Sequence, residues 1–295
     1  MGNRTIDMGL GPAFWLSVTW IALLVISAVT VDLWTVQEPD KMDWNNLNAN
    51  PGTISEEALM QGYQKMEKSF YIYWLGTDSM GRDILSRIIY GARISLSIGL
   101  IAPMIGLLAG GFLGCIAGFY RGLPESLIVA VMDIILAFPG LLLLLAVSFY
   151  LGSSLPNMIL SLGFLSIPAF CRVARAKTLA LCSLEFVQAA KLTGAGNLSI
   201  LVREIIPNVL IPVTVYGLLV VAFMIMAEGS LSFLGLGVPA PTPSWGRMIA
   251  EGRDVLDESP HVSMIPAAIM FLTVISFNLI GDSLRNIFER GKTQI

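Results

Sequence analysis

Six long apolar stretches alternate with polar segments along the chain. A charge-free run of about twenty apolar residues is long enough to cross the hydrocarbon of a bilayer as a helix. The pattern predicts spans at residues 14–31, 94–119, 128–151, 156–173, 208–227 and 262–281. Because lipid offers backbone polar groups no partner, these spans must be helical. The pattern therefore predicts an all-α polytopic membrane protein with about six transmembrane helices.

Composition agrees with this class and narrows the possible functions. The chain is 55% hydrophobic and 13% charged over 295 residues, and its mean hydropathy of +0.74 is too high for a soluble domain. The net charge is −3 and no basic block indicates nucleic acid binding. The three cysteines, Cys115, Cys171 and Cys182, follow no metal-ligand spacing, so we expect neither a disulfide framework nor a metal site.

The distribution of Lys and Arg predicts a cytoplasmic N-terminus, since positive residues concentrate in cytoplasmic loops. This orientation places nine basic residues inside: Arg121, Arg172, Arg175, Lys177, Lys191, Arg203, Arg285, Arg290 and Lys292. Arg82, Arg87 and Arg93 would lie outside, and we expect Asp78 and Asp83 to pair with them. The predicted organisation is residues 1–35 for the N-terminus and first span, 36–93 for an external segment, 94–285 for a five-helix core and 286–295 for a cytoplasmic tail.

Two external segments are predicted to contain structure of their own. Residues 56–70 contain enough helix formers for a short surface helix, although a solvated loop is the alternative, while Gly76, Thr77, Asp78 and Gly81 favour turns and a cap. Residues 229–261 begin with an apolar stretch crowded with Gly and Pro. That composition predicts a re-entrant or surface-hugging element, with an ordinary external loop as the alternative.

Glycines recur at every fourth position of the second span, at Gly106, Gly110, Gly114 and Gly118. Such spacing leaves a flat stripe on one face of a helix, where another helix backbone can approach closely. We therefore expect tight helix packing there, within this chain or with a partner.

A polar, Gly-punctuated loop, residues 178–207, interrupts the apolar pattern between the fourth and fifth spans. Ser183 is a candidate cap for a helix whose first turn holds Glu185, and Gly194 is suited to end that helix in a left-handed conformation. Asn197 offers a second cap, and Pro207 suits the start of the fifth span. Two short helices on the cytoplasmic side would offer a docking surface to a soluble partner.

The residues of this loop resemble the cytoplasmic coupling loop of binding-protein-dependent ABC import permeases. The match runs from Gln188-Ala189-Ala190 through Gly194 to Ile206-Pro207-Asn208, and Gln188 stands where the family usually has Glu. The resemblance implies a coupling helix at residues 184–193 that docks on an ATPase. Its candidate contact residues are Phe186, Gln188, Ala189, Ala190, Lys191, Gly194, Ala195, Arg203 and Pro207.

Four further regions resemble the second permease subunit of dipeptide, oligopeptide and nickel importers. They lie at residues 75–87, 91–96, 232–246 and 278–285, in the order found in that family, whereas the first 74 residues match only in layout. The first of them contributes the external motif residues Gly76, Thr77, Asp78, Gly81, Arg82, Asp83, Ser86 and Arg87.

The resemblance implies a type I ABC importer permease fold and half of a translocation pathway for di- or oligopeptides, with nickel or oligosaccharide as alternative substrates. The implied partners are a homologous second permease, two cytoplasmic ATPases and an extracytoplasmic solute-binding protein. ATP and Mg²⁺ would be bound by the ATPases and no cofactor by this chain. The implied location is the bacterial or archaeal inner membrane.

Two ionisable residues lie within predicted spans, where charge is costly and often functional. Asp133, near the inner end of the third span, is expected to pair with Arg121 or a coupling-loop base. Glu228, at the outer end of the fifth span, is a candidate contact for a peptide amine, with a structural role as the alternative.

Other functional classes fit the residues less well. A secondary transporter or channel would normally show ion-coupling charges or an internal repeat, and a membrane scaffold is a third alternative. Gly291-Lys292-Thr293 imitates a phosphate loop but has no following helix, and the single histidine, His261, has no adjacent nucleophile. An enzymatic activity is therefore not expected.

Overall fold

The computed structural model describes residues 10–34, 36–55 and 71–292, with side chains described to residue 288. The predicted surface helix at 56–70 lies outside the described residues. Nine helices are described: α1 Pro12–Thr30, α2 Ile84–Tyr120, α3 Leu123–Ala137, α4 Gly140–Leu151, α5 Leu155–Cys182, α6 Glu185–Leu192, α7 Asn197–Phe233, α8 Trp245–Glu251 and α9 His261–Lys292. In this part of the chain, five helices are long and apolar enough to cross a membrane, or six if α3 and α4 form one bent span.

Helix α2 begins at Ile84, ten residues before the apolar span predicted from residue 94. Asp83 caps α2 by accepting hydrogen bonds from the backbone N–H groups of Leu85 and Ser86, at 3.2 and 3.1 Å. The first helical turns contain Arg87, which pairs with Asp78 and Glu251 inside the protein and is therefore not exposed in a loop. The boundary placed at residue 93 therefore falls inside a helix.

The third span is broken rather than continuous. Helices α3 and α4 meet at a bend of 78°, with Phe138 and Pro139 between them. Pro139 has no backbone N–H and disfavours a helical conformation for the residue before it, which explains why the helix ends at Ala137. The single helix predicted over 128–151 is thus corrected to two helices.

The α3–α4 pair connects two parallel helices, α2 and α5. The four glycines of α2 lie against α5 in increasing register, from Gly106 beside Ser166 to Gly118 beside Thr178. At Gly110, a β-carbon would lie 2.3 Å from the carbonyl oxygen of Ile167. The helix partner of the glycine stripe is therefore in this chain.

The helix that contains the predicted fifth span extends beyond it at both ends. Helix α7 starts at Asn197, passes through a π-helical turn at Leu201–Ile205 and continues to Phe233. Pro207 therefore lies inside a continuous helix, and the second short helix of the coupling loop is the first turn of this span. Residues 229–233, predicted to belong to the Gly/Pro-rich segment, form the last turn of α7.

The predicted external end carries a small polar layer. Strands Thr53–Ile54 and Ile72–Tyr73 pair antiparallel, with Thr53 opposite Tyr73. Helix α8 packs beside this layer against α7 and α9. The main apolar core lies between α2, α5 and α7, and α1 packs on the outside against α9, where the Trp20 indole donates to Thr273 Oγ1 at 3.2 Å.

Candidate functional site

Helix α6 is a short helix that connects α5 to α7 at the predicted cytoplasmic end. Only Val187 is fully buried among its residues, and Ala190 packs partly against the core. Phe186, Gln188 and Ala189 are exposed. A helix attached by one narrow apolar stripe leaves most of its surface free for a partner.

The free surface of this loop includes large apolar side chains. Leu192 is 89% exposed and Leu198 is 68% exposed, next to the exposed Lys191. Large apolar side chains exposed within one short loop are typical of interaction sites, because burying them against a partner is favourable. Arg203 and Pro207 are also exposed, further along α7.

The start of α6 differs from the predicted cap. The N-cap residue is Leu184, and the Ser183 hydroxyl instead donates to the carbonyl of Ala180 at 2.8 Å. The α7 N-cap residue is Gly196 rather than Asn197. Both helix starts lack a side-chain cap.

Gln188 has a specific contact that its sequence position did not indicate. Its side-chain Nε2 donates to the backbone carbonyl of Cys182, the last residue of α5, at 3.0 Å. Such a bond satisfies a helix-terminal carbonyl that has no intrahelical donor. A glutamate carboxylate, the usual family residue, would be unable to donate it.

The end of α6 is set by Gly194 and Ala195. Gly194 has φ +82°, the left-handed region that favours glycine, and its N–H donates to Lys191 O at 3.1 Å. The N–H of Ala195 donates to Ala190 O, also at 3.1 Å. This closing turn directs the chain from α6 into α7.

At the opposite end, Glu251 of α8 joins two arginines of the external motif. Its Oε2 accepts from Arg82 at 2.7 Å and from Arg87 at 2.9 Å, and its Oε1 accepts from Arg247 at 2.6 Å. Asp78 accepts from Arg82 Nε at 2.7 Å and lies 3.5 Å from Arg87 Nε. Arg82 and Arg87 are both buried, so these ion pairs attach α8 to the start of α2.

The other motif residues shape the loop that carries these charges. Gly76 and Gly81 have φ of +82° and +72°, and a β-carbon at Gly81 would lie 2.0 Å from the carbonyl oxygen of Asp43. The Thr77 hydroxyl donates to Asn46 O, and the Ser86 hydroxyl donates to Gln37 O. Within the described chain these glycines cannot be replaced without moving backbone.

Contrary to expectation, Asp83 pairs with no arginine among the residues that the structure describes. It caps α2 and accepts from the Tyr71 hydroxyl at 2.6 Å. Arg93 instead pairs with Asp32 at the end of α1, at 2.7 Å.

The carboxyl groups of this layer have shifted pKa values of opposite sign. Burial raises the pKa of Asp83, and its hydrogen bonds offset the rise only in part. Burial also acts to raise the pKa of Glu251, but the positive charges of Arg87 and Arg82 outweigh it and leave that pKa below its ordinary value. Glu251 is therefore stabilised as a carboxylate by the arginines around it.

Glu228, the candidate contact for a peptide amine, is fully buried in this chain. Its Oε1 accepts from the hydroxyls of Ser232 and Ser244, both at 2.7 Å, and its Oε2 accepts from Ser95 at 3.3 Å. These serines belong to α7, the α8 N-cap and α2. Glu228 therefore joins three elements.

Asp133 pairs with Arg172 of α5 at 2.7 Å, not with Arg121 or a coupling-loop base. A second pair below it connects Arg175 of α5 to Glu125 of α3. These pairs attach the broken span to α5.

Sequence reasoning did not identify Glu251 and Arg247, which complete the external cluster. Glu251 is 169 residues from Arg82 along the chain. One sequence feature could have indicated them. Residues 82–93 contain more arginines than carboxylates, so a buried arginine there would need an acidic partner from elsewhere in the chain. His261, predicted to lie in a loop, begins α9 with its Nε2 3.1 Å from the Ala49 carbonyl oxygen.

Comparison with known proteins agrees with this architecture. Residues 110–294 match the family described as binding-protein-dependent transport system inner membrane component. The glutathione transport system permease protein GsiD of Pectobacterium atrosepticum is 42% identical over 217 residues, covering 74% of this chain and 72% of that protein. The protein of the same name from Escherichia coli is 44% identical over the same shares.

Two solved structures share the fold. The inward-facing MetNI methionine ABC transporter matches with a TM-score of 0.56 at 16% identity, over 68% of this chain and 96% of that one. An amino acid ABC transporter crystallised with histidines matches with a TM-score of 0.53 at 19% identity, over 70% and 94%. The fold is therefore that of ABC importer permeases, and the chain belongs to the binding-protein-dependent transport system inner membrane components as a permease subunit of an ABC importer, not an enzyme.

Proposed function

We propose that this chain forms half of the translocation pathway of an importer for short peptides. The supporting relatives are named as permeases of glutathione transport systems, and glutathione is itself a short peptide. The external motif, which resembles dipeptide and oligopeptide permeases, supports the same class. Its partners would be a homologous permease, two cytoplasmic ATPases carrying ATP and Mg²⁺, and an external binding protein, in a bacterial inner membrane.

The observation that carries this proposal is the exposure of the connecting helix α6. It is held to α5 by the Gln188 bond and enters α7 through the Gly194 turn, and it presents Leu192 to solvent. A partner that moves α6 would therefore move α5 and α7 together. ATP-driven closure of docked ATPases would alternate access in this way.

The size of the required driving force supports a nucleotide as its source. Shifting a two-state equilibrium from 1:99 to 99:1 takes about 5.5 kcal/mol of differential stabilisation. A contact made by one short helix is too small for this, whereas ATP binding and hydrolysis by two partner subunits is sufficient. In the proposed mechanism α6 transmits the motion and does not drive it.

Two glycines of the loop provide a matched test of coupling in the reconstituted complex. A β-carbon added at Gly194 or at Gly196 would meet open space, but Gly194 has φ +82° and Gly196 has φ −67°. Gly194→Ala should strain the turn and reduce peptide uptake per ATP hydrolysed, whereas Gly196→Ala should leave that ratio unchanged. Equal ratios for both variants would contradict the docking role.

Assembly and substrate are tested separately. The affinity-purified chain should bring down a second permease and two ATPases, and proteoliposomes should accumulate glutathione or dipeptides only with ATP and the binding protein. A complex that transports without ATPases would support a secondary transporter instead. Uptake of nickel or an oligosaccharide, with no peptide uptake, would replace the proposed substrate class.

A further inference from the structure

The ion pair between Asp133 and Arg172 lies on an open surface of the chain. Asp133 is 55% exposed and Arg172 is 60% exposed, and both lie in helices that are apolar and long enough to cross a membrane, Asp133 in the bent α3–α4 pair and Arg172 in α5. An exposed ion pair that faced lipid would be costly, and such residues normally face protein or a water-filled cavity. The pair therefore indicates which side of the molecule is not covered by lipid.

The depth of the pair strengthens this argument. Gly114 of α2 packs against the carbonyl of Cys171, the neighbour of Arg172, so Arg172 lies level with Gly114, within the apolar run of α2. Gly114 is seven residues before Arg121, the first charge beyond the apolar run, which places this level about 10 Å inside that end of α2. Asp133 is ten residues into α3, about 15 Å along the helix from Leu123.

A second observation on the same surface is the break in the third span. Phe138, Pro139 and Gly140 are all exposed, and they separate a helix of 15 residues from one of 12. A helix end leaves backbone carbonyls without intrahelical donors, which in a membrane is tolerated only in protein or beside water. In many secondary transporters, discontinuous membrane helices form the substrate and ion sites.

We propose that Asp133, Arg172 and the α3–α4 break line the water-filled pathway, and that the ion pair contacts the charged termini of a zwitterionic peptide. One bond, from Arg172 Nη2 to Asp133 Oδ1, joins the two side chains. This leaves further guanidinium donors and one carboxylate oxygen for a peptide carboxylate and ammonium. The peptide contact rests on the proposed function, whereas the water-facing surface does not.

Cysteine labelling tests the water-facing surface in the full complex in proteoliposomes. Ala137 is exposed one helical turn after Asp133, and Leu108 is exposed on α2, within its apolar run. A membrane-impermeant thiol reagent should modify Ala137→Cys at least tenfold faster than Leu108→Cys. The wild-type complex gives the background rate to subtract, and the three cysteines of this chain are buried. Equal rates, or faster labelling at Leu108→Cys, would overturn the assignment of this surface.

Transport kinetics test the peptide contact. The double variant Asp133→Asn, Arg172→Gln leaves no unpaired charge and should raise KM for a free dipeptide about tenfold, as expected for lost charged hydrogen bonds. KM for a dipeptide acetylated at its N-terminus and amidated at its C-terminus should not change. The exposed pair Arg253–Asp254, neutralised in the same way, is the control and should affect neither peptide.

The outcomes separate the two proposals. An equal KM change for free and blocked peptides would overturn the ion-pair contact while leaving peptide import intact. A wild-type complex with no ATP-dependent peptide uptake would overturn the proposed function and the peptide contact, and labelling at Ala137→Cys would still decide whether the surface faces water.

Discussion

At the scale of single residues, Glu251 is the carboxylate on which the external cluster depends. It accepts hydrogen bonds from Arg82, Arg87 and Arg247, and two of these arginines are buried. Removing one member of a buried ion pair costs more than the pair contributes, because the remaining charge stays buried without compensation. The same reasoning predicts a strong effect at Glu251 and a weak one at exposed pairs.

Glu251→Ala should therefore lower the free energy of unfolding by about 3 kcal/mol. Asp254→Ala, three residues away in an exposed pair with Arg253, should change it by less than about 0.5 kcal/mol. Thermal unfolding of the purified complex would measure both. Similar losses in the two variants would show that the cluster does not hold α8.

Gln188 carries a second prediction at this scale, because its amide donates to Cys182 O. Gln188→Glu removes the hydrogen-bond donor and should lower the local stability of α6 by about 1 kcal/mol, even though it restores the usual family residue. Gln188→Met has a side chain of similar length with no hydrogen-bond donor, so it should lower the stability of α6 by a similar amount. Hydrogen exchange of α6 should be faster in both variants, and slower exchange in Gln188→Glu would contradict this role.

At the scale of elements, the glycine stripe determines how closely α2 approaches α5. The spacing of the four glycines predicted a packed face, and the structure supplies α5 as the element that packs on it. Adjacent glycines of α2 differ sharply in their surroundings. Gly110 faces the α5 backbone, whereas a β-carbon added at Gly111 would have nothing within 4 Å.

Gly110→Ala should force the two helices apart and destabilise the protein by about 1 to 3 kcal/mol. Gly111→Ala should be neutral or slightly stabilising, since alanine favours the helix over glycine. Melting temperatures of the two variants in the same detergent provide the measurement. A neutral Gly110→Ala would mean that α2 and α5 are not packed as described.

At the scale of the whole molecule, the chain has an apolar helical body between two polar ends with different properties. The α6 end is exposed and held by few contacts, whereas the α8 end is joined by buried ion pairs. This difference suits a molecule that docks a moving partner at one end and keeps the other end rigid.

The rigid end should depend on pH in the acid range. The pKa of Glu251 is lowered in the folded protein, so its contribution to stability is complete above the ordinary value of 4.5 and is lost as pH falls through the lower folded value. Hydrogen exchange in α8, corrected for its intrinsic pH dependence, should therefore speed up below pH 4.5. The raised pKa of Asp83 has the opposite sign, so its protonation does not add to this loss.

Glu251→Gln is the control for this pH effect. Because its amide does not titrate, exchange in α8 should already be fast at neutral pH and should not change further in acid. A variant that keeps the wild-type pH profile would assign the transition to another group.

The sequence by itself determined the membrane class, the approximate number of spans, the polar loop between the fourth and fifth spans and the family. The physical reason is that crossing lipid requires about twenty consecutive apolar residues, a property visible in any single segment. The left-handed position of Gly194 and the packing glycines of α2 also follow from local chemistry, since few other residues tolerate such backbone conformations or close approaches.

Only the tertiary structure decided where polar side chains inside the fold find their partners. Burial of Arg87 beside Asp78 and Glu251 allowed α2 to begin at Ile84, and three serines from separate elements enclosed Glu228. The bend at Pro139 and the pairing of Asp133 with Arg172 likewise depend on how α3, α4 and α5 pack. A buried charge is stable only with partners, and those partners lie far away along the chain, where no local pattern specifies them.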